Sequence, residues 1–310
     1  MFGKCTADLV IAVDLTFFQR NSGDSSPHMK CEIKDVFHPS DFTRGSEAAF
    51  CHALRIALAV RGRLTIFHSE DSTDATQWED FPSATHYLHN WGMISRNGGH
   101  DAIAELGVYI KKIQADGKDA ASQIRNYLDG HQPDLIVMST HQRKGLARWM
   151  HRAVAEPVAR GTEAMSLFVP RSTRGFISPT SGMQLLSSIL IPIDSYPNPQ
   201  RAVDAAVALA RLLCESEPVV FTLLFAGAAD DIPLVRFPRE ANWQIVEHCV
   251  EGKPGEVILD AVEEFDVDLI VMATHGKKGF LDALRGSTTE RVIRAAPCPV
   301  LAVPVVSGEL

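Results

Sequence analysis

At 310 residues, with 45% hydrophobic and 22% charged residues, the chain has a globular composition and room for two ordinary domains. A net charge of −8 argues against a broad nucleic-acid-binding face, which needs clustered Lys and Arg. No apolar run approaches the roughly 18 residues of a membrane span, and the six cysteines form no CxxC pair, so they read as small buried residues of a reducing, cytoplasmic compartment.

Residues 1–30 read as a peripheral extension: an extra strand, a flexible tail or upstream sequence not essential to the fold. Their apolar run at 9–13 is bracketed by Asp8 and Asp14 and makes a poor secretory signal. From residue 31 the pattern is regular. A strand at 36–41 ends in Asp41, an Ala- and Leu-rich helix spans 46–60, and a strand spans 63–68. Residues 71–99 are polar and irregular and read as an insertion holding a helix near 83–92. A strand at 108–114, a helix at 118–128, a strand at 135–138, a helix at 152–161 and a strand at 167–169 complete the first half. His86 and His89 share a helix face, but with no third ligand in view they define no metal site.

A Ser-, Thr-, Gly- and Pro-containing linker follows at 171–186. The second half then repeats the order. A strand at 188–194 ends in Asp194, and a helix at 199–214 has Pro199 in its first turn. Strands at 219–225 and 244–250, a helix at 254–265 and an apolar strand at 269–272 follow. A loop carrying Gly276 and Gly279 leads to Gly286, Ser287 and Thr288. Ser287 and Glu290 have capping-box spacing for a helix that ends near Ala296, before Pro297. A last strand spans 300–303.

The two halves are copies. Residues 133–170 align without gaps on 267–304, with 15 of 38 columns identical, among them Asp134/Asp268, Thr140/Thr274, His141/His275, Gly145/Gly279 and Glu156/Glu290. Pro39 and Asp41 match Pro192 and Asp194 in the same way. The domains expected are therefore 31–170 and 187–306. Alternating strands and helices imply parallel sheets with helices on both faces, wound 3-2-1-4-5. The last strand of each copy, SLFVP and VLAVP, is an apolar edge, and pairing Leu167–Val169 against Leu301–Val303 would make an internal pseudo-dimer. Any further homodimer would then need another surface.

The stretch at 267–304 resembles the C-terminal half of a universal stress protein domain, on THG, nine residues, GS, then a helix ending in APCPVLAVP. The resemblance covers both copies. It implies two tandem adenine nucleotide alpha hydrolase-like α/β folds with ATP or a related adenine nucleotide as ligand, with or without Mg2+. The family's pattern is Gly, two residues, Gly, nine residues, Gly, Ser or Thr. Gly276, Gly286 and Ser287 match it, and Ala273 stands where the first glycine is expected.

Physics points to the same place. Glycines admit close backbone approach, and a helix start offers free N–H groups to an anion. In open α/β sheets the ligand crevice lies where strand order reverses, beyond the carboxyl ends of strands 1 and 4. The nucleotide site expected from the resemblance comprises Pro192, Ile193, Asp194, Ala226, Ala273, Gly276, Gly279, Gly286, Ser287 and Thr288, with Asp194 near the adenosine and Ala226 offering its backbone to the base. Asp194 also suits a cap for the next helix. Lys277 and Lys278 read mainly as solvated loop residues. His141 and His275 hold the same place in both copies, which favours a structural hydrogen bond over catalysis. In the first copy Gln142, Arg152, Ala153 and Val154 replace Gly276, Gly286, Ser287 and Thr288, so weak or no ATP binding is expected there. The function expected is a nucleotide-binding stress or signalling module without efficient turnover. The alternatives are a slow ATPase, or a scaffold whose crevices hold nothing.

Overall fold

A computed structural model describes residues 32–42, 44–70, 83–95, 99–116, 120–140, 164–171, 173, 175–275 and 288–305. The extension at 1–30 and the helix expected at 152–161 lie outside them. The first half contributes strands β1 (Asp35–Pro39), β2 (Arg63–Glu70), β3 (Tyr109–Asp116), β4 (Leu135–Thr140) and β5 (Met165–Pro170), with helices α1 (Glu47–Val60), α2 (Ala84–Asn90), α3 (His100–Glu105) and α4 (Ala120–Gly130). The second contributes β6 (Ser188–Ile193), β7 (Val219–Phe225), β8 (Trp243–Cys249), β9 (Leu269–His275) and β10 (Val300–Val305), with α5 (Gln200–Leu213), α6 (Pro254–Glu264) and α7 (Thr288–Ala295).

All ten strands form one sheet, ordered β3-β2-β1-β4-β5-β10-β9-β6-β7-β8. Each half runs 3-2-1-4-5, as expected. Every pair is parallel except the seam, where β5 and β10 run antiparallel with Val300 opposite Phe168, Leu301 opposite Leu167 and Ala302 opposite Ser166. The two expected five-stranded sheets are thus joined through their last strands. β4 and β5 are buried along their whole length. This explains their continuous apolar character, because helices cover both faces of the sheet. One core lies under α1 and α5, and the other under α4, α6 and α7.

The conserved spacing of the two copies includes two carboxylates that tie strands rather than ligands. Asp134 Oδ2 accepts the N–H groups of Lys34 and Asp35, both at 2.8 Å. Asp268 Oδ2 accepts those of Ser187 and Ser188, at 2.8 and 3.0 Å. Each aspartate pins the start of its strand 1 beside strand 4, so that the strand ends framing the crevice are fixed relative to one another.

The linker is also held. Trp91 Nε1–H donates to Pro179 O at 2.9 Å, and Ile177 bridges to Gln184. Some local expectations shift slightly. Pro199 is the N-cap of α5 rather than its first residue, and β8 begins one residue early. α3 was not expected; Gly99 and Gly107 bound it so closely that no helical period develops in sequence.

Candidate functional site

A cleft of about 200 Å3 opens at the carboxyl ends of β6, β7 and β9. This is the point where strand order reverses in the second half. Its floor is apolar: Pro192 and Ile193 end β6, Leu224 and Phe225 end β7, and Met272 and Ala273 come from β9. α6 supplies Pro254 and Ile258 to one wall, and the first residues of α7, Thr288 and Thr289, supply another. Asp194 is the one charged lining residue among the described residues. Its Oδ1 accepts the N–H of Ser195 at 2.6 Å, which ties the loop after β6.

Of the residues expected to form the site, Pro192, Ile193, Asp194, Ala226, Ala273 and Thr288 line this single cleft. Gly276, Gly279, Gly286 and Ser287 lie outside the described residues, as do Lys277 and Lys278. Among the described residues the helix expected after the cap Ser287 runs from Thr288 to Ala295. The ends of five segments, far apart in sequence, therefore converge.

Sequence reading missed Tyr196, Met272 and Thr289 as lining residues. Alternation along β9 sends Met272 and Ala273 to opposite faces, so the strand period gave no signal for Met272. Thr274 also lines the cleft, and its Oγ1 is buried without a partner. The matching Thr140 in the first half has the same buried, unpartnered Oγ1. A feature shared by both halves does not distinguish a site.

The corresponding face of the first half is built differently. Pro39 pairs with Phe67 where Pro192 pairs with Leu224, so a phenylalanine replaces a cleft-lining leucine. Phe37 stands in the place of Leu190 and Tyr127 in that of Ala261. Phe37 and Tyr127 stack with centroids 5.5 Å apart, and Phe67 lies 5.5 Å from Tyr127 and 5.7 Å from Phe37. At the strand ends Arg171 Nη2 donates to Asp41, the counterpart of Asp194, and Phe42 stacks on His68 at 3.7 Å. The side chain expected to fill this space, Arg152, lies outside the described residues. Within them, Phe67 stands at the position of the cleft-lining Leu224, Phe37 and Tyr127 pack on it from core positions, and Arg171 engages Asp41.

Two histidines in the first half are buried and neutral. His38 donates through Nδ1 to Val137 O at 2.8 Å, and burial pushes its pKa down to about 4. His52 is likewise pushed down to about 4 by burial. The thiols of Cys214 and Cys298 are pushed up to about 12 by burial, and that of Cys51 is raised further, so none is a ready nucleophile. Among the described residues no group of three or more His, Cys, Asp or Glu is placed to hold a metal ion, and no helix is long and apolar enough to cross a membrane.

The sequence profile of the universal stress protein family matches residues 32–170 and 226–304. A universal stress protein of Methanocaldococcus jannaschii is 29% identical over 150 residues, covering 40% of this chain and 85% of that one. Another, of Mycobacterium bovis, is 22% identical over 285 residues, covering 83% and 92%. A crystal structure of a universal stress protein from Archaeoglobus fulgidus superposes with a TM-score of 0.55 at 15% identity, covering 89% of this chain and 98% of that one. That last likeness speaks to fold alone.

Proposed function

The chain belongs to the universal stress protein family, and on that premise we propose that it is a signalling or stress-response module whose second half holds one adenine nucleotide, ATP or a close relative. The observation that carries this reading is the cleft at the strand-order reversal, with Asp194 on one side and the start of α7 on the other. Its apolar floor suits a base, and a carboxylate suits hydroxyl or amino donors of the nucleoside. The free N–H groups at the start of α7 suit a phosphate. Gly276, Gly286 and Ser287, adjoining β9 and α7 in sequence, would bring close backbone approach and a further hydroxyl. The described lining offers no cation, so phosphate charge would be met there by helix N–H groups.

The first half is proposed to hold no such ligand. Phe67 replaces the cleft-lining Leu224, and Arg171 engages Asp41. Occupancy of a single crevice, rather than turnover, is then the signal, and it acts by favouring one arrangement of the chain over another.

Equilibrium binding of ATP to the wild-type chain and to Asp194→Ala tests the proposal. Losing one charged hydrogen-bond acceptor should weaken binding by about tenfold or more, since such bonds contribute about 1.5–3 kcal/mol. The midpoint of thermal unfolding without ligand should move little, because Asp194 is exposed and accepts only one local N–H. Equal affinities for the two proteins would remove Asp194 from the site.

A further inference from the structure

β5 and β10 pair the two apolar edges within one chain, so a contact between two copies needs another surface. The connection from β7 to β8, residues 226–242, offers one. Connections longer than about 12–15 residues with little secondary structure of their own are uncommon and usually functional. This one makes a short 3-10 turn (Ala229–Asp231) and then runs without regular structure to β8. Ile232, Val235 and Phe237 pack inward on the core under α1 and α5, and Phe237 meets Phe221 edge-on at 5.3 Å.

Leu234 is left outside, 86% exposed, more than any other large apolar side chain among the described residues. A single exposed leucine is ordinary. What sets this one apart is the charge around it. Asp230 and Asp231 precede it, Arg236 and Arg239 follow it, and all four are exposed. Among the described residues none of the four has an ion-pair partner, whereas the neighbouring Glu240 is engaged by Arg211 at 2.7 Å.

The segment is also pinned. Gln200 Nε2 donates to Arg236 O at 3.0 Å, and Gln200 Oε1 accepts Arg236 N–H at 2.8 Å. Further on, Arg211 Nε and Nη2 both donate to Glu240 Oε1, and Asn242 Nδ2 donates to Glu217 O at 2.7 Å. Pro233 and Pro238 restrict the backbone between these ties. Little ordering remains to be done when a partner docks.

The order of the charges identifies that partner. Asp231 and Asp230 lie three and four residues before Leu234, and Arg236 and Arg239 lie two and five after it. Two copies of the segment set antiparallel about a two-fold axis at Leu234 bring the acidic pair of each between the two arginines of the other, with the leucines meeting on the axis. A purely basic patch would call for an acidic partner. A patch acidic on one side of an apolar centre and basic on the other complements itself under this rotation. We infer that residues 229–239 are an isologous interface through which two copies of the chain associate. The first half carries α2 and α3 between β2 and β3 instead, so the patch has no counterpart there and the contact closes at a dimer. So short a contact belongs with the weak, reversible interfaces below about 1,200 Å2, and the dimer dissociates on dilution through the micromolar range. The contact makes no use of the cleft and stands apart from what the cleft binds.

Sedimentation velocity of the full chain at rising micromolar concentration, in low salt, tests this. The wild type should pass from monomer to dimer, and added salt should reverse the change, because exposed charges are screened. Leu234→Asp sets two carboxylates against each other on the axis and should weaken association by about tenfold or more. Asp231→Arg and Arg236→Asp should each weaken it as well, because each sets like charges face to face. An equal mixture of those two variants should recover a dimer, since the basic segment of one then meets the acidic segment of the other. A merely structural role would produce no such rescue. A wild type that stays monomeric throughout, a dimer untouched by Leu234→Asp, or a mixture no better than its parts overturns the inference and leaves the patch to a different protein or to none. Circular dichroism of each variant checks that the fold is unchanged, which is expected for exposed positions.

Discussion

His52→Ala should lower the free energy of unfolding by about 4 kcal/mol, one of the two largest effects expected of a single substitution in this chain. His52 lies on the buried face of α1 and joins it to the linker between the halves. Its Nδ1–H donates to Ala48 O at 2.6 Å, so Nε2 is the acceptor. That acceptor receives the N–H groups of Phe176 and Ile177, at 3.1 and 3.2 Å. The ring meets Phe176 edge-on at 4.4 Å. Gly175, at φ +66°, passes so close that a Cβ there would lie 2.3 Å from the imidazole. Alanine would orphan two buried N–H groups, at about 1–3 kcal/mol each, and open a cavity as well. Urea unfolding at pH 7 measures the loss.

The same ring makes stability depend on pH. An unfolded histidine titrates near 6.5, whereas His52 and His38 are held down to about 4 by burial. Below pH 6.5 the unfolded chain takes up protons that the folded chain refuses. Stability is therefore complete above about pH 6.5 and is lost as pH falls towards 4, by about 3 kcal/mol for each histidine. His52→Ala removes one of the two contributions. Its unfolding free energy should fall less steeply than that of the wild type between pH 6.5 and 4.5, and parallel pH profiles would show that His52 titrates normally in the folded chain.

Leu301→Asp should be more damaging still, at about 5 kcal/mol or more. Leu301 is 3% exposed and lies opposite Leu167, itself 1% exposed, at the only antiparallel contact between described strands. A carboxylate there would have to be buried without a partner, or protonated, or extruded by parting β5 from β10. Parting them would expose two apolar edges, and such edges associate with other chains. The expected outcome is a chain that elutes from size exclusion as larger species and is cut by protease between the halves. A monomer with wild-type stability would mean that the seam does not hold the halves together. Leu301→Ile, which keeps volume, is the control and should cost under about 1.5 kcal/mol.

Much of the architecture can be read from the sequence because each signal occurs twice. PDLIVMSTH and VDLIVMATH fix two copies of strand 4, and Asp41 and Asp194 fix two ends of strand 1. Once the copies are aligned, handed crossovers restrict the order, the family resemblance implies the 3-2-1-4-5 winding, and two apolar edges suggest the seam. What escapes is whatever depends on register. Phe37, Phe67 and Tyr127 come from β1, β2 and α4, and only strand pairing and helix docking bring them together. The gap-free part of the alignment begins at residue 133, after all three. Gln142 and Arg152, which that part of the alignment does pair with the second half, lie outside the described residues.

The candidate site divides along the same line. Asp194, Ala226, Ala273 and Thr288 stand at the ends of strongly patterned elements, and a reader can place them by counting. Tyr196 sits in a loop whose course is set by prolines and by ties through Asn198 and Gln200. Its place at the cleft is a matter of loop geometry, which composition does not encode. Asp134 and Asp268 show the reverse case. They recur in both copies, as site residues often do, yet each spends its carboxylate on backbone N–H groups at the start of a strand.

The claim underneath all of this is asymmetry: one half open to a nucleotide, the other closed by its own side chains. Isothermal titration of the full chain with ATP, after removal of any co-purified ligand, tests it most directly. The account predicts one molecule bound per chain. Two equivalent sites, or none, would contradict it.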